Sequence, residues 1–143
     1  MEIRLDDVIA SLYTDIKDLE EKNVITGDFS DVSFNDIRVV NAIGDEAEKS
    51  SSEVAKALRV TMGTLTKAID GLASKGYVLR ERSEKDKRKV LLSLSDKGKA
   101  LYGRHKSFHS DLINAIMGDI DEQDQVALHR ILGCLSLHIK PTV

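Results

Sequence analysis

The fold is decided by residues 60–95, which read VTMGTLTKAIDGLASKGYVLRERSEKDKRKVLLSLS. The first half predicts a short amphipathic helix over residues 61–75, because four apolar residues recur at three- and four-residue spacing and share one face. These residues are Met62, Leu65, Ile69 and Leu72. Thr61 can cap the start of this helix by accepting a backbone N–H, and Gly76 marks its end.

The preceding segment SSSEVAKALRV, residues 50–60, predicts a second short helix. Ser50 and Glu53 stand at capping-box spacing. The side expected to be buried consists of Val54, Ala55 and Leu58. Two short helices joined by Arg59 and Val60 form a helix-turn-helix.

After Gly76 the pattern changes to two extended runs around a charged tip, which predicts a β-hairpin. The tip, SEKDKRK at residues 83–89, carries four basic side chains: Lys85, Lys87, Arg88 and Lys89. A charge run is ordinarily a solvated turn. Its position directly after a helix-turn-helix favours a wing that contacts DNA.

Helix, turn, helix and wing together resemble the MarR family of winged-helix transcription regulators. Asp86-Lys87-Arg88 followed by Val90 and Leu92 resembles the family's wing motif, and SLSDKGKAL at residues 93–101 is similar to its strand end and the start of its long fifth helix. More narrowly, VTMGTLTKAIDGL, SKGY, SEKDKRKV and HKSFH are similar to the FabT-like repressors of fatty-acid biosynthesis.

Composition is typical of one domain with a sizeable core, since the chain has 143 residues and 41% hydrophobic content. Aromatic residues make up only 4% and Trp is absent, which predicts an aliphatic, helical core. The sequence contains no apolar run of membrane-spanning length and no basic-then-apolar leader, so we expect a cytoplasmic protein without membrane partners. The single Cys134 excludes an internal disulfide and a Cys-based metal cluster.

Charge is distributed unevenly along the chain. Residues 1–55 hold 5 basic and 14 acidic side chains (net −9), residues 56–106 hold 14 and 5 (net +9), and residues 107–143 hold 2 and 5 (net −3). The positive charge therefore coincides with the predicted helix-turn-helix and wing, as nucleic-acid binding requires.

Apolar stripes predict helices on both sides of this unit. The first ends near Lys22 and carries Leu5, Val8, Ile9, Leu12, Ile16 and Leu19, and a polar loop over residues 23–31 is expected to follow. Ser33 and Asp36 are a capping signal for the next helix, which carries Phe34, Ile37, Val40, Ala42 and Ile43 and ends at Gly44.

Two further helices are predicted near the other end of the chain. Ser95 can cap a long helix with Leu101, Phe108, Leu112 and Ile116 close to one line. Asp121 can cap the last helix, whose apolar face comprises Leu128, Ile131, Leu132, Leu135 and Ile139, and Pro141 is expected to stop it.

The predicted fold is therefore mainly α with a small β-hairpin wing (α+β). We expect a winged helix-turn-helix DNA-binding domain at residues 33–95 and a helical dimerisation region at residues 1–32 and 96–143. The terminal helices have more apolar surface than one small core needs. A homodimer would bury it, and its twofold symmetry suits a palindromic operator in double-stranded DNA.

Residues of the recognition helix's N-terminal half are expected to meet base edges, and the wing is expected to address phosphates and the minor groove, as the family's wing arginine does. Asp86 is expected to orient Arg88. The candidate DNA-binding residues are Ser51, Arg59, Thr61, Met62, Gly63, Thr64, Thr66, Lys67, Lys85, Asp86, Lys87 and Arg88.

The resemblance also implies an effector. MarR-family proteins commonly bind a small anionic or apolar ligand, and the FabT-like branch implies long-chain acyl-acyl carrier protein as corepressor. Candidate chain-binding residues are Leu12, Ile16, Phe34, Ile37 and Phe108, and candidate contacts to the acidic carrier protein are Lys97, Lys99, Arg104 and Lys106. Alternatively, the apolar residues only fill the core and the basic residues serve DNA alone, and another ligand or zinc is the effector.

Other functions are less well supported by the sequence. His105 and His109 are four apart and are weak candidates for a metal site, which His129 and His138 could complete only if folding brings them close. Cys134 fits a packing role better than a redox role. Catalytic and cofactor motifs are absent, so we expect neither an enzyme nor a bound cofactor. A winged helix that binds only protein is the remaining alternative.

Overall fold

The computed structural model describes residues 3–140. Its helices are α1 (Leu5–Asn23), α2 (Phe34–Ile43), α3 (Ser51–Leu58), α4 (Met62–Ser74), α5 (Asp96–Gly118) and α6 (Glu122–Ile139), with a short 3-10 helix at Gly27–Phe29. Its strands are β1 (Lys49–Ser50), β2 (Val78–Arg82) and β3 (Val90–Leu94). The predicted mainly α fold with a small β-hairpin is confirmed.

Five of the six described helices, α2 to α6, begin where the sequence places hydroxyl or carboxylate caps. Ser33 and Asp36 form a reciprocal capping box at the start of α2. Ser50 accepts the Glu53 N–H, Thr61 accepts the Thr64 N–H, and Ser95 accepts the Gly98 N–H. Asp121 caps α6 through the Asp124 N–H. Each bond satisfies a donor that has no partner within the first helical turn.

The three strands form one antiparallel sheet in the order β1-β3-β2. Val78 pairs with Leu94 and Arg82 with Val90, which confirms the hairpin and extends its first strand to Arg82. The two-residue strand β1, which pairs Lys49 with Leu92, was not predicted. It is too short and too polar to give a period-two pattern.

The chain divides into two compact units, one ending at Phe108 and the other beginning at His109. In the first unit, residues from α2, α3, α4, the sheet and the start of α5 form an aliphatic core. The segment predicted as a polar loop, residues 23–31, also contributes Val24 and Phe29 to this core. The burial of these two residues could not be predicted, because two isolated apolar residues in a polar segment carry no periodic signal.

The second unit consists of the rest of α5 and of α6. Gln125 Nε2 donates to Met117 O at 3.0 Å, which fixes the connection between the two helices. No residue of α6 is buried, and the same is true of α1 in the first unit. The stop predicted at Pro141 lies outside the described residues. Within residues 3–140, no helix is both long and apolar enough to span a membrane.

Candidate nucleic-acid interface

The N-terminal half of α4 is exposed on the side that faces away from the core. Leu65, Ile69 and Leu72 are buried, as their spacing predicts. Met62, which the spacing assigned to the same face, is instead 47% exposed, because it lies in the first turn, ahead of the buried residues. The exposed surface of this half comprises Thr61, Met62, Gly63, Thr64, Thr66 and Lys67.

The threonine hydroxyls of this surface differ in what they can offer a base. Thr61 Oγ1 donates to Thr64 Oγ1 at 3.0 Å, and Thr66 Oγ1 donates to Met62 O at 2.8 Å. Thr61 and Thr66 therefore present acceptor lone pairs and methyl groups, whereas Thr64 keeps its own proton for donation. Such a surface can read hydrogen-bond donors and thymine methyl groups in a major groove.

The wing tip is a tight turn held by backbone and side-chain hydrogen bonds. Ser83 N donates to Lys89 O at 3.0 Å, and Lys89 N donates to Asp86 O at 2.9 Å. The Asp86 carboxylate accepts the backbone N–H of Arg88 at 3.1 Å. Asp86 thus orients Arg88 through its backbone, and the side chains of Lys85, Lys87 and Arg88 remain exposed.

The helix-turn-helix is joined to the base of the wing. Ser51 Oγ donates to Val90 O at 3.3 Å, so the start of α3 is bonded to the start of β3. Arg59 ends α3 in the left-handed conformation (φ 57°) and is exposed in the turn before α4. The bond from Ser51 to Val90 thus links the helix-turn-helix to the base of the wing.

A buried tyrosine anchors the other end of the recognition helix. Tyr77 donates its hydroxyl to Asp31 Oδ1 at 2.6 Å. Burial, reinforced by this bond, raises the pKa of Tyr77 well above its usual range, and the same bond lowers the pKa of Asp31. Gly98 packs so closely that an added Cβ would lie 2.1 Å from Tyr77 O. The helix end is therefore fixed against the start of α5.

An ion pair that the sequence analysis missed connects α4 to the wing strand. Arg80 Nη1 on β2 contacts Asp70 Oδ1 on α4. The two residues are ten positions apart and belong to different elements, so helical periodicity alone could not pair them. Strand alternation gives the available signal: it puts Arg80 on the same side of β2 as buried Val78, where the helix packs.

A separate cavity of about 340 Å³ lies in the first unit between α1, α2 and α5. Its apolar side includes Tyr13, Ile16, Phe34 and Ile37, and its polar side comprises Lys17, Glu20, Arg38, Asn41 and His105. Three of the five predicted chain-binding residues, Ile16, Phe34 and Ile37, line it. Leu12 and Phe108 are not among its lining residues.

His105 links two helices at the polar side of the cavity. Its Nε2 lies 2.6 Å from Glu20 Oε1 on α1, and its Nδ1 lies 2.9 Å from Asn41 Nδ2 on α2. His105 is partly buried and hydrogen-bonded. Its partners could not be predicted, because Asn41 is 64 positions away and neither residue belongs to a motif.

The fold brings together only some of the residues that were considered as metal ligands. Glu20 and His105 are two potential ligands in contact, and His109 lies one turn further along α5. His129 and His138 bond to backbone carbonyls of their own helix. Cys134 is exposed in the single chain.

The comparisons with known proteins agree with this geometry. A model of the MarR family matches residues 30–89, which span the helix-turn-helix and the wing. The transcriptional repressor YetL of Bacillus subtilis is 35% identical over 86 residues, which are 60% of this chain and 52% of that protein. The chain thus spans about half the length of the first curated relatives it matches. These relatives are named as transcriptional regulators, not as enzymes.

Two solved structures of DNA complexes are similar over nearly the whole chain. FabT of Streptococcus pneumoniae in complex with DNA has 31% identity and a TM-score of 0.90, covering 95% of both chains. A MarR mutant of E. coli complexed with operator DNA has 25% identity and a TM-score of 0.69, covering 92% of both chains. The chain belongs to the MarR family of transcriptional regulators and is similar to its FabT members.

Proposed function

We propose that the protein is a sequence-specific repressor that binds double-stranded DNA as a homodimer on a palindromic operator. The observation that carries this proposal is the exposed N-terminal half of α4 beside a wing tip whose side chains Lys85, Lys87 and Arg88 point into solvent. Residues 33–95 bind the operator, and the helices from 1–32 and 96–143 form the dimer.

The unpartnered apolar faces support the dimer. On α6, Ile131, Leu132 and Ile139 are more than half exposed in the single chain, and on α1 Leu5 and Leu12 are also more than half exposed. Exposed apolar surface of this extent marks an interaction site. In a dimer the two recognition helices should lie about 34–36 Å apart, one turn of duplex.

Replacing Arg88 by alanine tests the DNA-binding proposal. With an operator selected by the wild-type protein from random duplexes, Arg88→Ala should weaken binding by roughly 1–3 kcal/mol if the guanidinium is desolvated in a groove. Arg130→Ala removes the same charge from α6, where Arg130 is exposed, and serves as the control. Unchanged affinity of Arg88→Ala in gel-shift titrations would refute the assignment. Absence of any salt-dependent duplex binding would favour a protein-binding module instead.

For regulation, we propose control of fatty-acid biosynthesis genes with long-chain acyl-acyl carrier protein as corepressor. The cavity beside Ile16, Phe34 and Ile37 supports this proposal, because it offers an apolar wall for an alkyl chain. At about 30 Å³ for a group the size of a water molecule, 340 Å³ holds roughly ten methylene-sized groups. Each buried CH₂ contributes about 0.8 kcal/mol.

The predicted carrier-protein contacts on α5 are not equally available. Lys97 donates to Lys75 O at 3.2 Å, and Arg104 donates to Asn23 O at 3.0 Å. All four side chains are exposed, but no bond to a backbone carbonyl is found for Lys99 or Lys106 among the described residues, and Lys106 Nζ lies over the Tyr102 ring at 5.8 Å. We therefore assign attraction of an acidic carrier protein mainly to Lys99 and Lys106.

Operator titration with and without carrier protein loaded with a long acyl chain tests this proposal. The loaded carrier should tighten operator binding, since an effector shifts an equilibrium only by its differential affinity for the DNA-competent state. Ile16→Trp, which fills the cavity, should abolish the effect, and Leu137→Trp, at an exposed leucine outside the cavity lining, should not. Zinc is the rival effector because Glu20 and His105 are in contact. A response to zinc or to another small ligand, without one to the acyl carrier, would refute lipid control.

A further inference from the structure

A groove of about 150 Å³ lies between the recognition helix and the wing. Its floor includes buried Leu65 and Leu92, and three cationic side chains line it: Arg80, Arg88 and Lys89. Among the described residues that line this groove, none is acidic. At about 30 Å³ per water molecule, the volume corresponds to roughly five waters, which is enough for a phosphate group and part of its hydration shell.

The groove has fixed walls. The bond from Ser51 Oγ to Val90 O holds the start of α3 against the wing. At the other side, Asp70 on α4 contacts Arg80 on β2 and orients its guanidinium. Arg80 is therefore directed before a ligand arrives, so less side-chain freedom is lost when one binds.

The position of the groove identifies its ligand. A recognition helix in the major groove and a wing in the neighbouring minor groove stand on either side of one sugar–phosphate strand. The surface between them must therefore face the phosphates of that strand. We infer that the groove binds a backbone phosphate of the operator and that Arg80, restrained by Asp70, is the cation that reaches it. This inference rests on the proposed DNA-binding function.

Asp70 acts as the competitor of that phosphate. The side chains of Arg80 and Asp70 are 44% and 58% exposed, and an ion pair of such exposure is weak. A DNA phosphate can therefore draw the guanidinium away from the carboxylate or share its five donors. Asp70 sets how much of the Arg80 charge is available to DNA, so it tunes affinity and its dependence on salt.

Three variants test the inference by operator titration over a range of salt concentrations: Asp70→Asn, Arg80→Gln and the double variant. Arg80→Gln should weaken binding roughly twofold to fivefold and make the slope of log K against log salt shallower by about 0.9, the value for one phosphate contact. Asp70→Asn should tighten binding by a similar factor. In the Arg80→Gln background most of that gain should disappear.

Two controls separate this mechanism from simpler effects. Glu81→Gln makes the same change in net charge on the opposite side of β2, so it measures the general effect of removing a negative charge. A neutral methylphosphonate placed at single phosphates between the helix-contacted and wing-contacted positions should weaken wild-type binding at one position and leave Arg80→Gln unaffected there. That result assigns the ligand to the DNA backbone rather than to a free phosphate ion.

Different results would refute the phosphate-binding inference and the proposed function. If Asp70 and Arg80 form only a structural tether, both single variants weaken binding with an unchanged salt slope and lower the unfolding midpoint together, and the inference fails. It also fails if Asp70→Asn gains no more than Glu81→Gln. The proposed function fails separately, if the wild-type protein shows no operator binding.

Discussion

The winged-helix region and the outer helices carry apolar stripes of similar regularity, but only the first buries its stripe within the chain. Leu65 and Leu72 on α4 are 1% and 0% exposed, whereas Leu132 on α6 is 51% exposed. Periodicity thus reports which residues share a face and not what covers that face. In α4 the core of the same chain covers it, and in α6 the proposed dimer would cover it.

The largest effect is expected when a charged residue replaces an apolar residue on the exposed face of α6. Leu132→Asp should separate the proposed dimer, because twofold symmetry buries two unpaired carboxylates at a cost of several kcal/mol each. The chain itself should stay folded, since Leu132 is exposed in it. Sedimentation and far-ultraviolet circular dichroism measure the two quantities.

Leu137→Asp is the matched control, because Leu137 is 74% exposed and lies outside the predicted apolar face. It should remain dimeric. If Leu132→Asp were also dimeric at micromolar concentration, the interface would have to lie on another surface.

Truncating a buried leucine of α4 should have a smaller effect, and the effect should be on the stability of the fold and not on dimerisation. Leu72→Ala should lower the free energy of unfolding by about 2–5 kcal/mol, since it opens a cavity in a closed core. Leu79→Ala, at a 55% exposed leucine of β2, should change it by less than about 0.5 kcal/mol. Urea unfolding measures the free energy of unfolding of both variants. All proteins are compared at the same protomer concentration, because the stability of a dimer depends on concentration. Equal losses would mean that Leu79 is covered in the dimer.

Local signals explain how much of the fold was predictable. Ser33 with Asp36, Thr61 and Gly76 are each within a few positions of the backbone groups that they serve, so the ends of α2 and α4 could be deduced from sequence. The hairpin was predictable for the same reason. Burial of Met62 was overestimated because a periodic stripe does not show where the core ends.

The unpredicted features depend on pairs that are distant in sequence. Strand β1 exists because Lys49 and Ser50 find the free edge of β3, more than forty residues later. His105 meets Glu20 and Asn41, and Arg80 meets Asp70, only after the helices pack. The exposed residues of α4 and the wing were therefore predictable. The polar side of the cavity and the walls of the groove between the recognition helix and the wing were not.

The smallest expected effect concerns the hydroxyl that ties the end of the recognition helix to residue 31. Tyr77→Phe keeps the buried ring and removes the hydroxyl, which donates to Asp31 Oδ1 at 2.6 Å and has a longer contact of 3.4 Å with Asp28 O. At neutral pH it should cost about 1 kcal/mol of stability, at the lower end for a bond to a charged group because Asp31 is partly exposed. Tyr13→Phe, at a 73% exposed tyrosine, should cost nothing measurable.

The pH dependence of that difference gives the sharper test. The pKa of Asp31 is lowered from 3.8 in the folded state, so its contribution is present above 3.8 and is lost as pH falls through the lower folded value. The pKa of Tyr77 is raised from 10.0, so the wild type loses stability as pH rises above 10, while the Tyr77→Phe variant has no such group to ionise. The gap between the two proteins should therefore be widest from about pH 5 to 9 and narrow at both ends. A gap that stays constant in thermal unfolding from below pH 3.8 to above pH 10 would mean that the hydroxyl acts through packing and not through the carboxylate.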